Sequence, residues 1–177
     1  MTGTADLSHR IVSMLPDMMA ELAMINGPVE AIDTEIKTLA KADADMQRLM
    51  EIPGVGPTIV SALVDAVRSG SSIAKGRDLA AWLGLVSRQI TTGGKANLIG
   101  ISKHGNPYLR ILFIHGARTD LHLVRDRTSP TTQWADGLKK WAHVNVAAVA
   151  MTNKMARIAW AALTKGERYR PAALVGA

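Results

Sequence analysis

The sequence predicts a mainly α-helical protein, a helical body with a helix-hairpin-helix-like turn, preceded by a long helical arm. Three observations carry this reading. The apolar class is 47% of the 177 residues yet aromatics are only 4%, so that class rests on Ala, Val, Leu, Ile and 9 Met, the composition of a helical protein. Apolar residues recur at three-and-four spacing near residues 29–39 and again over residues 144–162. A short Pro/Gly turn stands ahead of an amphipathic run near residue 55. The length suits one ordinary core with an appended arm, here divided into residues 1–50 (arm), 51–171 (body) and 172–177 (tail).

Within the arm, Pro16 and the pair Gly27-Pro28 are expected to interrupt the helix, because proline removes a backbone donor and crowds the preceding turn. From Val29 the residues Val29, Ile32, Ile36 and Leu39 form one seam, with Glu30, Asp33, Glu35 and Lys37 on other faces. Two heptads leave two uses open, packing on the body or pairing as a coiled coil with a second chain.

The next segment, I-P-G-V-G-P at residues 52–57, describes a tight turn between two helices, with Pro57 suited to the first turn of the second. Amides at such a helix start can receive a phosphate oxygen without reading a base, which makes Gly54, Gly56 and Thr58 a candidate backbone contact for DNA or RNA. The same turn also joins helices in proteins that bind nothing.

After a loop at residues 69–72, Asp78 is expected to cap a short helix ended by Gly84, with Trp82 in the core. Residues 88–95 and 100–106 read as a glycine-rich functional loop carrying hydroxyl and basic side chains. It is not a nucleotide P-loop, since Gly93-Gly94-Lys95 lacks the earlier Gly and the following Ser or Thr. A helix is expected from Pro107, then a polar break around residues 128–133. The last helix has the seam Val144, Ala148, Met151, Met155, Ile158 and Ala162, and a basic tail ends it.

Charge is distributed unevenly. Residues 1–50 hold four Lys/Arg (Arg10, Lys37, Lys41, Arg48) against eight Asp/Glu, a balance of −4. The remainder holds seventeen basic against seven acidic side chains, a balance of +10. A basic body behind an acidic arm points to a polyanionic partner such as nucleic acid. The absence of Cys excludes a disulfide scaffold, a thiol nucleophile and Cys-based metal sites. Apolar runs are far shorter than the roughly 20 residues of a membrane span. With no secretory pattern at the start, the expected location is the cytoplasm, at the nucleoid.

Six motifs then occur in order: I-P-G-V-G-P at 52–57, G-R-D-L-A-A-W-L-G-L at 76–85, T-G-G-K at 92–95, G-I-S-K-H-G-N-P-Y-L-R at 100–110, H-G-A-R at 115–118 and N-V-A-A-V-A-M-T-N-K-M-A-R at 145–157. From about residue 29 to 171 the chain closely resembles the C-terminal transposase domain of the IS-one-ten insertion-sequence family, in its IS-eleven-eleven group.

The resemblance implies an RNA-guided DNA transposase in which an N-terminal RuvC-like half supplies acidic metal ligands. The C-terminal half supplies a serine that attacks a DNA phosphate and forms a covalent link, and subunits assemble as a multimer. Its partners would be DNA, a structured guide RNA of the element, and further copies of itself or a full-length transposase. No RuvC-like half precedes the arm, so the chain is expected to be inactive alone. No metal site is expected within it, and Mg²⁺ would come only with that other half. The family's nucleophile is Ser before a Gly step, and here Thr92 matches that position. Its methyl crowds in-line attack and restricts χ1. Arg88, Lys95, Ser102, Lys103, His104 and Arg110 are the expected phosphate ligands beside it. Two other functions are consistent with the residues: a non-catalytic nucleic-acid-binding or assembly module, and a helical protein-interaction domain.

Overall fold

A computed structural model describes residues 8–68, 73–122 and 130–170. Among them are seven helices and one two-stranded antiparallel sheet: α1 (His9–Ala42), α2 (Ala44–Met50), α3 (Pro57–Arg68), α4 (Gly76–Trp82), β1 (Ser87–Thr92), β2 (Lys95–Ile101), α5 (Pro107–His122), α6 (Pro130–Lys139) and α7 (Val144–Lys165). The loop expected at residues 69–72 and the tail at 172–177 lie outside the described residues.

The body is built around α7, whose buried face alternates small and flexible residues (Ala148, Met151, Met155, Ala159, Ala162) much as the sequence seam anticipates. Small side chains let neighbouring helices approach closely. Gly76 at the start of α4 lies so near the Arg157 backbone that a Cβ there would stand 3.3 Å from the Arg157 Cα. Phe113 of α5, Leu63 of α3, Leu79 of α4 and Leu49 of α2 are fully buried in the same core. Leu121, Ala135, Ala147 and Ala148 form a second, smaller cluster beneath α6.

Local signals account for the helix ends. The Asp43 carboxylate accepts from the amides of Asp45 (2.8 Å) and Met46 (3.1 Å), which caps α2 and turns the chain out of α1. The Met46 amide, aided by Arg68 and opposed by partial burial, holds the Asp43 carboxyl below its ordinary range. Arg68 bonds both Asp43 (3.0 Å) and Asp45 (3.1 Å), tying α3 to the junction of arm and body. Asn106 caps α5 by accepting from the Leu109 amide at 3.0 Å. Gly166, with φ +66°, ends α7.

Three expectations are corrected. Pro16 and Pro28 do not break the arm, and α1 runs through both as one helix of 34 residues. Each proline costs about 3 kcal/mol in a helix interior, but the carbonyls it leaves without a helical donor lie on Val12 and Met24, both exposed, where water can take them. Asp78 caps α4 as expected, but from the third helical position, where its carboxylate accepts from the Lys75 amide at 2.9 Å. The polar break near residue 130 is helical from Pro130, a residue preset for a first helical turn. The glycine-rich loop at residues 88–106 is mostly a β-hairpin.

Candidate nucleic-acid interface

The hairpin follows from its turn. Gly93 and Gly94 have φ of +58° and +80°, the paired left-handed residues that a two-residue type I′ turn requires. The strands pair Thr92 with Lys95, Thr91 with Ala96, Ile90 with Asn97, Gln89 with Leu98 and Arg88 with Ile99. Since side chains alternate, one face presents Arg88, Ile90, Thr92, Lys95, Asn97 and Ile99, and the other Gln89, Thr91, Ala96 and Leu98. On the second face the Gln89 amide donates to the Thr91 hydroxyl at 3.3 Å. Thr92 and Lys95 are thus direct cross-strand neighbours beside the turn, with Arg88 roughly 13 Å along the same face.

Every residue of the hairpin from Ser87 to Gly100 is exposed, including Ile90 and Ile99. An isolated two-stranded hairpin is marginal in water, so its anchorage matters. The base is strapped to the end of α4. The Ser102 amide donates to the Val86 carbonyl at 2.7 Å, Lys103 to Gly84 at 3.0 Å and Asn106 to Trp82 at 3.0 Å. Arg110 reaches across from α5 and donates to the Leu83 carbonyl at 3.1 Å, closing the same helix end. Gly84 and Gly105 allow this approach, since a Cβ on the first would strike the His104 carbonyl and a Cβ on the second the Trp82 carbonyl. Lys103 takes a left-handed φ of +58°, uncommon for a non-glycine residue, and its side chain and that of His104 are exposed.

Gly54, Gly56 and Thr58 lie elsewhere, in the turn between α2 and α3. They line a cleft of about 510 Å³ together with His115 and Thr119 of α5. The two glycines differ in role. Gly54, with φ +78°, faces the backbone of Gly116, and a Cβ on it would also stand 3.2 Å from Asp120, so its missing side chain is used in packing the turn on α5. Gly56 faces open space. Partial burial pushes the Asp120 carboxyl above its ordinary range, against the pull of Lys139. The turn and the hairpin base therefore share α5 as a strut: Gly116 carries one and Arg110 the other, roughly 9 Å apart along the helix rise.

Lys154 was not singled out as a ligand by its sequence context. It stands 4.8 Å over the Trp134 ring and lines a cleft of about 1030 Å³ with Arg168 and Arg170. Burial, then the charge of Arg157, draws its ammonium below the ordinary lysine range. The only sequence signal was its position off the α7 seam. Among the described residues no group of three or more His, Asp or Glu is placed to hold a metal ion. No helix among them is long and apolar enough to cross a membrane.

Residues 46–131 match the model of the transposase IS116/IS110/IS902 family, a stretch that contains both the α2–α3 turn and the hairpin. The chain belongs to that family. It is 38% identical over 170 residues to a probable family 20 transposase of Pseudomonas aeruginosa, covering 96% of this chain and 50% of the relative. It is 39% identical over 164 residues to the transposase for insertion sequence element IS1111A of Coxiella burnetii (93% and 45%), and 35% identical over 161 residues to the transposase for IS1328 of Yersinia enterocolitica (91% and 48%). The chain spans about half the length of these curated relatives.

Proposed function

We propose that this chain is the nucleic-acid-binding C-terminal domain of a DNA transposase, and that its hairpin presents a hydroxyl, Thr92, to a DNA phosphate. Family membership supports transposition as the process. The observation that carries the finer reading is the hairpin register, with Thr92 facing Lys95 across the strands and sharing an exposed face with Arg88. Cationic side chains beside a hydroxyl can hold a phosphodiester and offset the charge that builds on its oxygens during attack. In that step the Thr92 Oγ1–P bond forms and one P–O ester bond to deoxyribose breaks. The hydroxyl proton leaves, and the departing deoxyribose oxygen takes one up, so the phosphoester bond is kept for strand exchange. Lys103, His104, Arg110 and Ser102 edge the hairpin base, and the Gly56–Thr58 turn offers a second, backbone contact. A structured RNA and further copies of the chain complete the complex, which acts in the cytoplasm at the nucleoid.

The β-branched Thr92, where the family has Ser, favours a second reading, a binding module that has lost its chemistry. The two separate on a covalent adduct. With element-end DNA and a supplied RuvC-like half, the Thr92→Ser chain is expected to trap an SDS-resistant protein–DNA adduct and Thr92→Ala none. If Thr92→Ser traps none with that half present, the nucleophile assignment fails and the non-catalytic module stands.

A further inference from the structure

The cleft of about 1030 Å³ that Lys154 lines has no part in the proposed function, and it shares no residue with the hairpin. Its floor is one face of α7, where Lys154, Ile158, Ala161 and Ala162 follow at steps of four, three and one. Its rim is the chain just past that helix, where Gly166 takes a left-handed turn and Arg168, Tyr169 and Arg170 line the cleft. The charges there are not matched. Arg168 approaches Glu51 at 3.7 Å, but among the described residues no carboxylate pairs with Lys154 or Arg170. Glu167 also lines the cleft, which leaves two uncompensated cations against one carboxylate. Lys154 is partly buried and held over the Trp134 ring, so its charge is fixed in place and partly stripped of water, where an incoming anion gains most. Its charged neighbour on α7 is another cation, Arg157.

We propose that this cleft binds an unpaired nucleotide of a single strand, with Lys154 and Arg170 on its phosphates and the base laid against Ile158, Ala161 and the Tyr169 ring. Cations that track a phosphate backbone, set beside an apolar floor and an aromatic ring, are the combination by which proteins hold single strands. The volume is that of a cube about 10 Å on edge, room enough for a ligand of nucleotide size. It is narrower than the major groove alone of a duplex, about 12 Å wide. The exposed hairpin suits a duplex, and the concave cleft suits a base that has left its stack.

The inference rests on the reading that the chain binds nucleic acid, and not on Thr92 or the hairpin, so the two fail separately. Anisotropy titrations of the whole chain use a labelled strand of about 12 nucleotides, as DNA and as RNA, and a duplex of the same DNA. Lys154→Gln with Arg170→Gln is expected to weaken the tighter-bound strand about tenfold, with Arg168 left to hold part of the phosphate charge, and the duplex about twofold or less. Lys140→Gln with Lys165→Gln removes the same charge at exposed positions outside the cleft lining and is expected to change either by about twofold or less. Tyr169→Leu keeps the charge and is expected to weaken the strand about fivefold through lost stacking. Should the double variant melt early, Arg170→Gln alone, at an exposed position, is expected to weaken the strand about fourfold. On irradiation a strand carrying 5-iodouracil is expected to cross-link at Tyr169, a result that net charge alone does not produce. Failure of the hairpin shows instead as duplex binding indifferent to Arg88→Ala with Lys95→Ala, and it leaves the cleft result untouched. A wild-type chain that binds no single strand, a strand affinity unchanged by the cleft substitutions, a loss equal for strand and duplex, an equal loss from the control pair, or cross-links confined to other residues overturns the proposal.

Discussion

Replacing Arg88 and Lys95 together by alanine is expected to lower affinity for duplex DNA at low salt by about a hundredfold while leaving the melting temperature unchanged. Hydrogen bonds to charged groups contribute about 1.5–3 kcal/mol each, so the loss of two such contacts reaches this size even after partial compensation by neighbours. Both side chains stand on exposed strands and have no part in the core, which is why stability should not follow affinity. Phosphate contacts release counterions, so the slope of log affinity against log salt should fall by about 2 in the double variant. Lys37→Ala with Lys41→Ala removes the same charge from the arm and serves as the control, with an expected change of threefold or less. An equal loss from the arm pair would mean that net charge, and not the hairpin, governs binding.

Gly105→Ala is expected to cost on the order of 4 kcal/mol, near the upper range of single substitutions and a large part of the stability of an ordinary domain. Two effects add at this position. The φ of +100° is closed to L side chains, and a Cβ there would meet the Trp82 carbonyl oxygen and stand 2.9 Å from the Trp82 carbonyl carbon. That carbonyl already accepts from the Asn106 amide at 3.0 Å, so it cannot move away without loosening the strap that anchors the hairpin and starts α5. Gly93→Ala separates the effects, since Gly93 also has positive φ but nothing lies within 4 Å of its Cβ position. Its expected cost is about 1 kcal/mol, the conformational part alone. Thermal melting of both variants checks the difference, and equal shifts would contradict the packing explanation.

How much of this was legible in the sequence depends on what competed with each signal. Helices α3, α5 and α7 were readable because their apolar spacing, Pro57, Pro107 and Gly166 agree with one another. The hairpin was not, because the hydroxyls and glycines of residues 88–105 resemble a loop. The stronger signal was Gly93-Gly94 between two runs carrying Ile90, Leu98 and Ile99, a combination that specifies a hairpin even without a buried face. The arm departs in the opposite sense, since both prolines lie where the freed carbonyls are exposed and the helix runs through them. The unbroken helix adds Ile11, Leu15, Met18, Leu22 and Ile25 to the seam that starts at Val29. For the candidate site, sequence order could name Thr92 and its basic neighbours, but only strand register shows that Thr92 and Thr91 face opposite ways. Nor could it show that Arg110 closes the end of α4, or that Gly54 packs against Gly116 while Gly56 remains open.

The most direct test of the hairpin as the nucleic-acid face uses the absence of cysteine from the chain. Single cysteines are introduced as Thr92→Cys, Lys95→Cys, Thr91→Cys and Leu98→Cys, and each variant is mixed with DNA bearing a thiol tether on one backbone phosphate. Disulfide capture is expected at positions 92 and 95 and not at 91 and 98, which the register sets on the other face. Capture that is equal on both faces, or stronger at 91 and 98, would contradict the account.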